Sequence, residues 1–221
     1  MAKTQSVIVP FYSNTVDDTH CFQAAMRMVL KYFLPGQDFS WRELDRMSAK
    51  LDGKPTWPAR MLINLHNMGF DIAIAQGEDV KAFIKEGGDY LKRVVGEEKA
   101  AWEIANSDIP REQKICQELL DSGVLVENRL PNVEDIRHFL DKGYLVKCTI
   151  NSRVLRGREG YVGHAVVIYN VDSINITMHD PGLPASKACT LSHRDFLAAW
   201  ASPDATSKNL TAIKYLGAHH G

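Results

Sequence analysis

The sequence lacks an excess of charge of either sign: 26 basic and 27 acidic residues leave a formal net charge of -1. No global field exists to gather nucleic acid or an anionic membrane, and neither is expected as a partner. No apolar run approaches the roughly 20 residues of a membrane span, and Met1 to Ser6 carry no apolar signal core. A cytoplasmic protein is expected. Gly-rich phosphate loops, internal repeats and low-complexity tracts are also missing. Cysteines are few, and Cys21, Cys116, Cys148 and Cys189 are spaced too widely and irregularly for a CxxC metal knuckle or a disulfide scaffold. Free thiols are expected. A zinc hydrolase using Cys21, His164 and Asp180 would find no close ligand pair such as HExxH, so neither metal nor cofactor is expected.

What is present is an ordinary globular composition, 45% hydrophobic and 24% charged over 221 residues, enough for a substantial core. The organising stretch runs from Asp17 to Leu30. Asp17, Asp18 and Thr19 are turn and N-cap residue types, and Ala24, Ala25, Met28 and Val29 recur at helical spacing, which puts Cys21 in a first helical turn. The unpaired N–H groups and positive dipole end of a helix favour thiolate, the form that attacks a carbonyl carbon. Cys21 is therefore the candidate nucleophile. Cys116 in a helical pattern and Cys148 in an apolar strand read as buried structural residues, and Cys189 falls in a loop-like stretch.

Taken in order, Val7 to Val9 predicts a short strand and Phe11 to His20 a loop. Helices follow from Cys21 to about Phe33, from Ser40 as cap through Met47, and behind Thr56 as cap with Met61, Leu62, Leu65 and Met68 on one stripe. A strand over 71–75 comes next. From about 78 to 122 the pattern is helical only, over Val80 to Lys85, Tyr90 to Ala105 and a segment capped by Asp108, and reads as an insertion or lid within a single domain spanning 1–221. Val124 to Val126 predicts a strand, and Asn132 with Asp135 opens a helix ending at Gly143. The remainder is strand-rich: Tyr144 to Ile150, Val162 to Val171, Ile174 to His179 and Leu210 to Leu216. An exposed basic loop is expected over 151–161, and Ser192 with Asp195 caps a short helix. The class is α+β.

A base comes from the hairpin. A turn centred on Asp172 predicts partner numbers adding to 344, which sets His164 opposite Asp180, Val166 opposite Met178 and Ile168 opposite Ile176. A slip of one residue would send His164 and Asp180 to different faces. A histidine beside a carboxylate at the mouth of a core holds one tautomer and supports its protonated form. His179 lies on the other face with Ala165, Val167 and Tyr169; His20 adjoins Cys21 and cannot face it along a helix. His66, His138 and His193 fall in helical segments, and His219 and His220 in a terminal tail.

A cysteine opening an apolar helix, then Gly-His-Ala-Val-Val-Ile on a strand at 163–168 and Asp-Pro-Gly at 180–182, resembles the papain-like cysteine peptidases. The nearest resemblance is to the bacteriocin-leader, double-glycine peptidases and their stand-alone relatives. That resemblance implies a papain-like fold, with the nucleophile helix packed on a C-terminal antiparallel sheet. It also implies a triad in which Cys21 attacks, His164 is general base and acid, and Asp180 orients the ring. The family's usual Gly and small residue after the cysteine are replaced by Phe22 and Gln23, and its oxyanion-hole Gln, about six residues before the cysteine, is replaced by Thr15. Asn14 then stands in as amide donor, with Gln23 the alternative. The implied activity is cleavage of an amide bond through a thioester. An acyl or peptidyl transferase using the same triad, and a non-catalytic peptide-binding module on the same fold, remain open beside it.

Overall fold

A computed structural model describes residues 8–217. Val7, His219 and His220 lie outside the described residues. Ile8 and Val9, expected in a strand, have no regular structure.

Ten α-helices and one seven-stranded sheet form a mixed α+β structure among the described residues. The strands are β1 (Phe70–Gln76), β2 (Leu125–Asn128), β3 (Leu145–Asn151), β4 (Gly163–Val171), β5 (Asn175–Asp180), β6 (Ser186–Ser192) and β7 (Asn209–Tyr215). Their order across the sheet is β2-β1-β7-β3-β4-β5-β6, with only β1 and β2 parallel. The sequence does not announce β6. It is a part-exposed edge strand whose Ser-Lys-Ala-Cys-Thr-Leu-Ser sequence has no buried face to write a pattern, and its pairing with β5 creates it.

Side-chain alternation divides the interior into two cores, one on each face. Ala165 and Val167 of β4 join the core built with helices α1 (Cys21–Phe33), α2 (Trp41–Ser48) and α3 (Ala59–Asn67). Val166 and Ile168 join the core under α8 (Val133–Asp141) and α10 (His193–Trp200), with Ile136, Phe196 and Trp200. α1 is buried along most of its length, from Phe22 to Met26 and from Met28 to Leu30. Each of its fully buried Met and Leu side chains contributes about 1.5–3 kcal/mol of transfer free energy.

Local signals account for most helix boundaries. Ser40 and Glu43 form the expected capping box on α2, and Asn132 with Asp135 forms another on α8. Thr56 does not cap α3; Pro58 takes that position, and the Thr56 hydroxyl instead accepts a bond from Gln23 Nε2. Residues 80–121 form α4 (Val80–Glu86), α5 (Gly88–Val95), α6 (Glu97–Asn106) and α7 (Ile109–Asp121). The residue pattern predicts one helix from Tyr90 to Ala105, but Gly96 at φ +82° ends α5 and starts α6. Phe83, Tyr90, Ile109, Ile115 and Leu119 belong to the same core as α1, so this segment is packed into the body of the protein. The loop expected over 151–161 opens with a short helix, α9 (Ser152–Leu155). Asn151 caps it through Arg153 N–H and also holds the loop's far end through Gly160 O and Val162 N–H.

Candidate active site

The loop before α1 is fixed by its own polar side chains. Asn14 Oδ1 accepts the backbone N–H groups of Thr15 at 2.9 Å and His20 at 2.8 Å, while its Nδ2 donates to Asp18 Oδ1 at 2.6 Å. Asn14 N–H donates to Pro181 O at 2.7 Å, which ties the loop to the turn after β5. His20 is the N-cap residue but makes no side-chain cap, so α1 begins with uncapped N–H groups at Cys21. The His20 ring is engaged by Thr15 Oγ1 at 2.9 Å and Asp45 at 3.2 Å and serves to hold the loop to α2.

Cys21 is half-buried and its thiol is free, as are those of Cys116, Cys148 and Cys189. His164, the second residue of β4, is 5% exposed; Asp180, the last of β5, is 7% exposed. His164 Nε2 bonds Asp180 Oδ1 at 2.5 Å, and the same oxygen accepts Gly182 N–H at 2.8 Å. The Cys21 thiol is the ring's other hydrogen-bond partner. With Nε2 taken by Asp180, Nδ1 is the nitrogen left for sulfur. His164 shares a strand face with the second core while Cys21 opens a helix of the first. They meet because His164 lies one residue inside the start of β4, where the sheet ends.

Electrostatics follow from these contacts. Burial disfavours the Cys21 thiolate, but the hydrogen bond and charge of His164, with Ala165 N–H, outweigh it and bring the thiol below its ordinary range. Burial also opposes the imidazolium, yet Asp180 and Cys21 push His164 up to about 9. Asp180 is held low, against its burial, by His164, by Gly182 N–H and by Arg156. The three groups favour a thiolate–imidazolium pair backed by a carboxylate. They are strung through the two nitrogens of the ring and do not converge on one point. Among the described residues no three His, Cys, Asp or Glu side chains are grouped to hold a metal ion.

The hairpin reaches this arrangement by a different register from the expected one. Val167 faces His179 and Ile168 faces Met178, partner numbers adding to 346, while Asn170 faces Thr177 and Val171 faces Ile176, adding to 347. The turn is displaced because the Asp172 carboxylate accepts the N–H groups of Ile174 and Asn175, each at 2.7 Å. That displacement alone would send Asp180 to the face opposite His164. A bulge at Tyr169 takes up one residue, and continuing the 346 register sets Asp180 opposite Val166, on the His164 face.

The structure thus brings Cys21, His164 and Asp180 together, with Asn14 tethered to the same turn. It does not bring Gln23 there: Nε2 donates to Ser48 Oγ at 3.0 Å and Thr56 Oγ1 at 2.9 Å in the interior between α1, α2 and the segment before α3. Three neighbours are not foreseen from the sequence. Gly182 sits so close that a Cβ there would lie 3.0 Å from His164 Nε2, 2.9 Å from Asp180 Oδ1 and 2.7 Å from Arg156 Nη2. Arg156 leaves Nη2 buried without a hydrogen-bond partner beside that turn. Lys147 is buried at 6% exposure in β3. The Lys147 signal is present in the chain, a lysine inside an otherwise apolar strand.

No protein-family model matches this chain, and no curated protein matches it. No helix of the described residues is long and apolar enough to cross a membrane.

Proposed function

We propose that the protein is a papain-like thiol hydrolase that cleaves an amide bond through a Cys21–His164–Asp180 triad. The observation that carries this reading is one buried imidazole bonded to a carboxylate on one side and to a thiol at a helix start on the other. The thiolate attacks the carbonyl carbon, the C–S bond forms, and the oxyanion collects at the uncapped start of α1. Cys21 N–H and the second N–H of the Asn14 amide are its donors, the latter held in place by the bonds to Asn14 Oδ1. His164 gives its proton to the leaving nitrogen, the C–N bond breaks and a thioester remains. Water, deprotonated by His164, then attacks the thioester, the C–S bond breaks, and the acid leaves the thiolate–imidazolium pair restored. An amine in place of water makes the same site a transferase.

The papain-like assignment of the fold belongs to this proposal and rests on the order of elements: nucleophile helix, further helices, then the antiparallel strands with the histidine and aspartate. The Asn14 amide has given one of its two N–H groups to Asp18, and the thinner donor set this leaves favours a second reading, a peptide-binding module on the same scaffold. A thiol-directed electrophile separates the two. A hydrolase labels at Cys21 far faster than at Cys116 or Cys148, whose thiols burial pushes up to about 12, and Cys21→Ala abolishes turnover of any amide the parent cleaves. Turnover undiminished in Cys21→Ala, or equal labelling of the three thiols, overturns the catalytic assignment.

A further inference from the structure

The loop between β3 and β4 brings one cation to the Gly182 turn. Arg156 closes α9, its N–H donating to Arg153 O at 3.1 Å, and the loop around it is tied down on both sides. Asn151 Nδ2 donates to Gly160 O and to Ser202 Oγ, each at 2.9 Å, and Arg158 N–H donates to Arg153 O at 2.8 Å. The guanidinium therefore has a fixed origin. Its Nη2 is buried, has no hydrogen-bond partner and lies 2.7 Å from the point where a Gly182 Cβ would stand. Asp180 Oδ1 is 2.9 Å and His164 Nε2 3.0 Å from that same point. Laid end to end, these distances keep Nη2 within about 6 Å of both atoms, the range over which an unbonded charge still shifts a proton affinity. A buried N–H without a partner is uncommon and calls for a reason.

The charges around the His164–Asp180 pair change during the proposed cycle. Before attack, the imidazolium compensates the carboxylate. Once His164 Nδ1 has given its proton to the leaving nitrogen, the ring is neutral and the sulfur is held in the thioester. Asp180 must then stay ionised beside a neutral ring, so that Nε2–H points at it and Nδ1 is bare to take a proton from water. The other titratable groups around the pair bring no cation to it. Cys189 of β6, which feels Asp180, is a thiol that burial holds protonated, and His179, on the opposite face of β5, is held neutral by burial. Asp18, before α1, and Lys147 of β3, whose amine burial drives toward the neutral form, act at Cys21. Arg156 is the cation that remains at the carboxylate.

We propose that Arg156 is a positioning residue for the second half-reaction: its guanidinium keeps Asp180 a carboxylate after the ring has lost its charge, and so keeps His164 a free base when water attacks the thioester. The inference rests on the hydrolase reading above and concerns one step of it. Its sign is fixed by charge. A cation near the pair lowers the pair's affinity for a proton, so removing it leaves more of the acyl-enzyme as imidazolium, which cannot accept a proton from water. Formation of the thioester uses the imidazolium as acid and does not share this dependence.

p-Nitrophenyl acetate acetylates a reactive thiol and releases nitrophenolate, which separates the two steps on the intact protein. Gel filtration at acid pH frees the acetyl-protein of ester, and loss of the acetyl group is then followed by intact mass from about pH 5 to about pH 9, the span in which a histidine titrates. In the parent, deacylation should rise with pH through an acid limb set by His164. In Arg156→Met and Arg156→Gln that limb should move up by about one pH unit, making deacylation about tenfold slower below it, with the rate above it unchanged. Arg156→Lys, which keeps the charge, should return the limb toward the parent's. A limb that stays put in both charge-free variants, a uniform fall in rate at every pH, or a limb that moves as far in Arg156→Lys overturns the Arg156 assignment and leaves the triad standing. Acetylation of Cys21 no faster than of Cys116, or undiminished nitrophenolate release in Cys21→Ala, overturns the hydrolase reading and this inference with it.

Discussion

The two flanks of Cys21 hold charge in opposite ways. Toward β5 the three central groups hold one another in contact: His164 bonds Asp180 and the thiol, and Asp180 also takes Gly182 N–H; only Arg156 Nη2 beside them is left without a hydrogen-bond partner. Toward β3, Lys147 touches only neutral oxygens, and Glu78 and Glu103 form no ion pair among the described residues. A closed network fixes geometry and tunes proton affinity; an open one has interaction capacity left over. The first flank has the groups that the proposed chemistry uses already in contact, and the second keeps a lysine whose bonded partners are neutral.

The largest expected effect breaks the closed flank. His164→Ala should lower turnover about 100- to 10,000-fold, the range of general acid–base catalysis. Its pH dependence is sharper evidence. The proposed mechanism uses thiolate and imidazolium together, so the acid limb of activity should lie below the ordinary thiol value of 9.0 and the alkaline limb near 9, where His164 loses its proton. The pair also links to stability. Because His164 is raised in the folded state, its contribution is complete below 6.5 and is lost as pH rises through about 9. Asp180→Asn removes the bond that raises the ring and should move the alkaline limb to lower pH. Above that limb the imidazolium population falls about tenfold for each pH unit by which the limb has moved. An alkaline limb that stays put in Asp180→Asn would mean that the carboxylate does not govern the ring.

An intermediate effect comes from Gly182. Its missing side chain lets the turn close onto both His164 and Asp180, and a methyl group would stand 2.7 Å from Arg156 Nη2 and 2.9 Å from Asp180 Oδ1. Gly182→Ala should cost about 1–3 kcal/mol, the usual range for overpacking, and turnover should fall along with stability. Thermal melts and rates measured together test this. A variant as stable and active as the parent would show that the turn can move away from His164 freely.

How legible this was in the sequence differs by flank. The α+β class, the helix from Cys21 to Phe33 and the capping boxes at Ser40 and Asn132 follow from spacing and cap chemistry, which are local. The meeting of His164 with Asp180 followed from parity alone. The register actually taken differs by two residues from the expected one, because the Asp172 turn displaces it by three and the Tyr169 bulge returns one. Two odd errors preserved the face, and no residue at 169 announces a bulge. The open flank was hidden for another reason. Lys147 lies inside an apolar strand and its neighbours Thr149 and Asn209 are related only by sheet pairing, while Gln23, close to Cys21 in sequence, is held away from it by Ser48 and Thr56.

The smallest expected effect compares the flanks directly through folding stability. Removing one member of a closed buried network strands its partners, so Asp180→Ala should destabilise by about 3 kcal/mol or more. Removing Lys147 strands only two neutral oxygens and relieves a buried ammonium, so Lys147→Met should be neutral to about 1–2 kcal/mol stabilising at neutral pH. Thr149 and Asn209 soften the loss: the Asn209 Oδ1 atom keeps Thr149 N–H at 2.9 Å as a donor. Chemical denaturation of the two variants beside the parent gives both numbers under one set of conditions. If Lys147→Met proved as destabilising as Asp180→Ala, the ammonium would be compensated within the fold after all, and its flank would be as closed as the triad's.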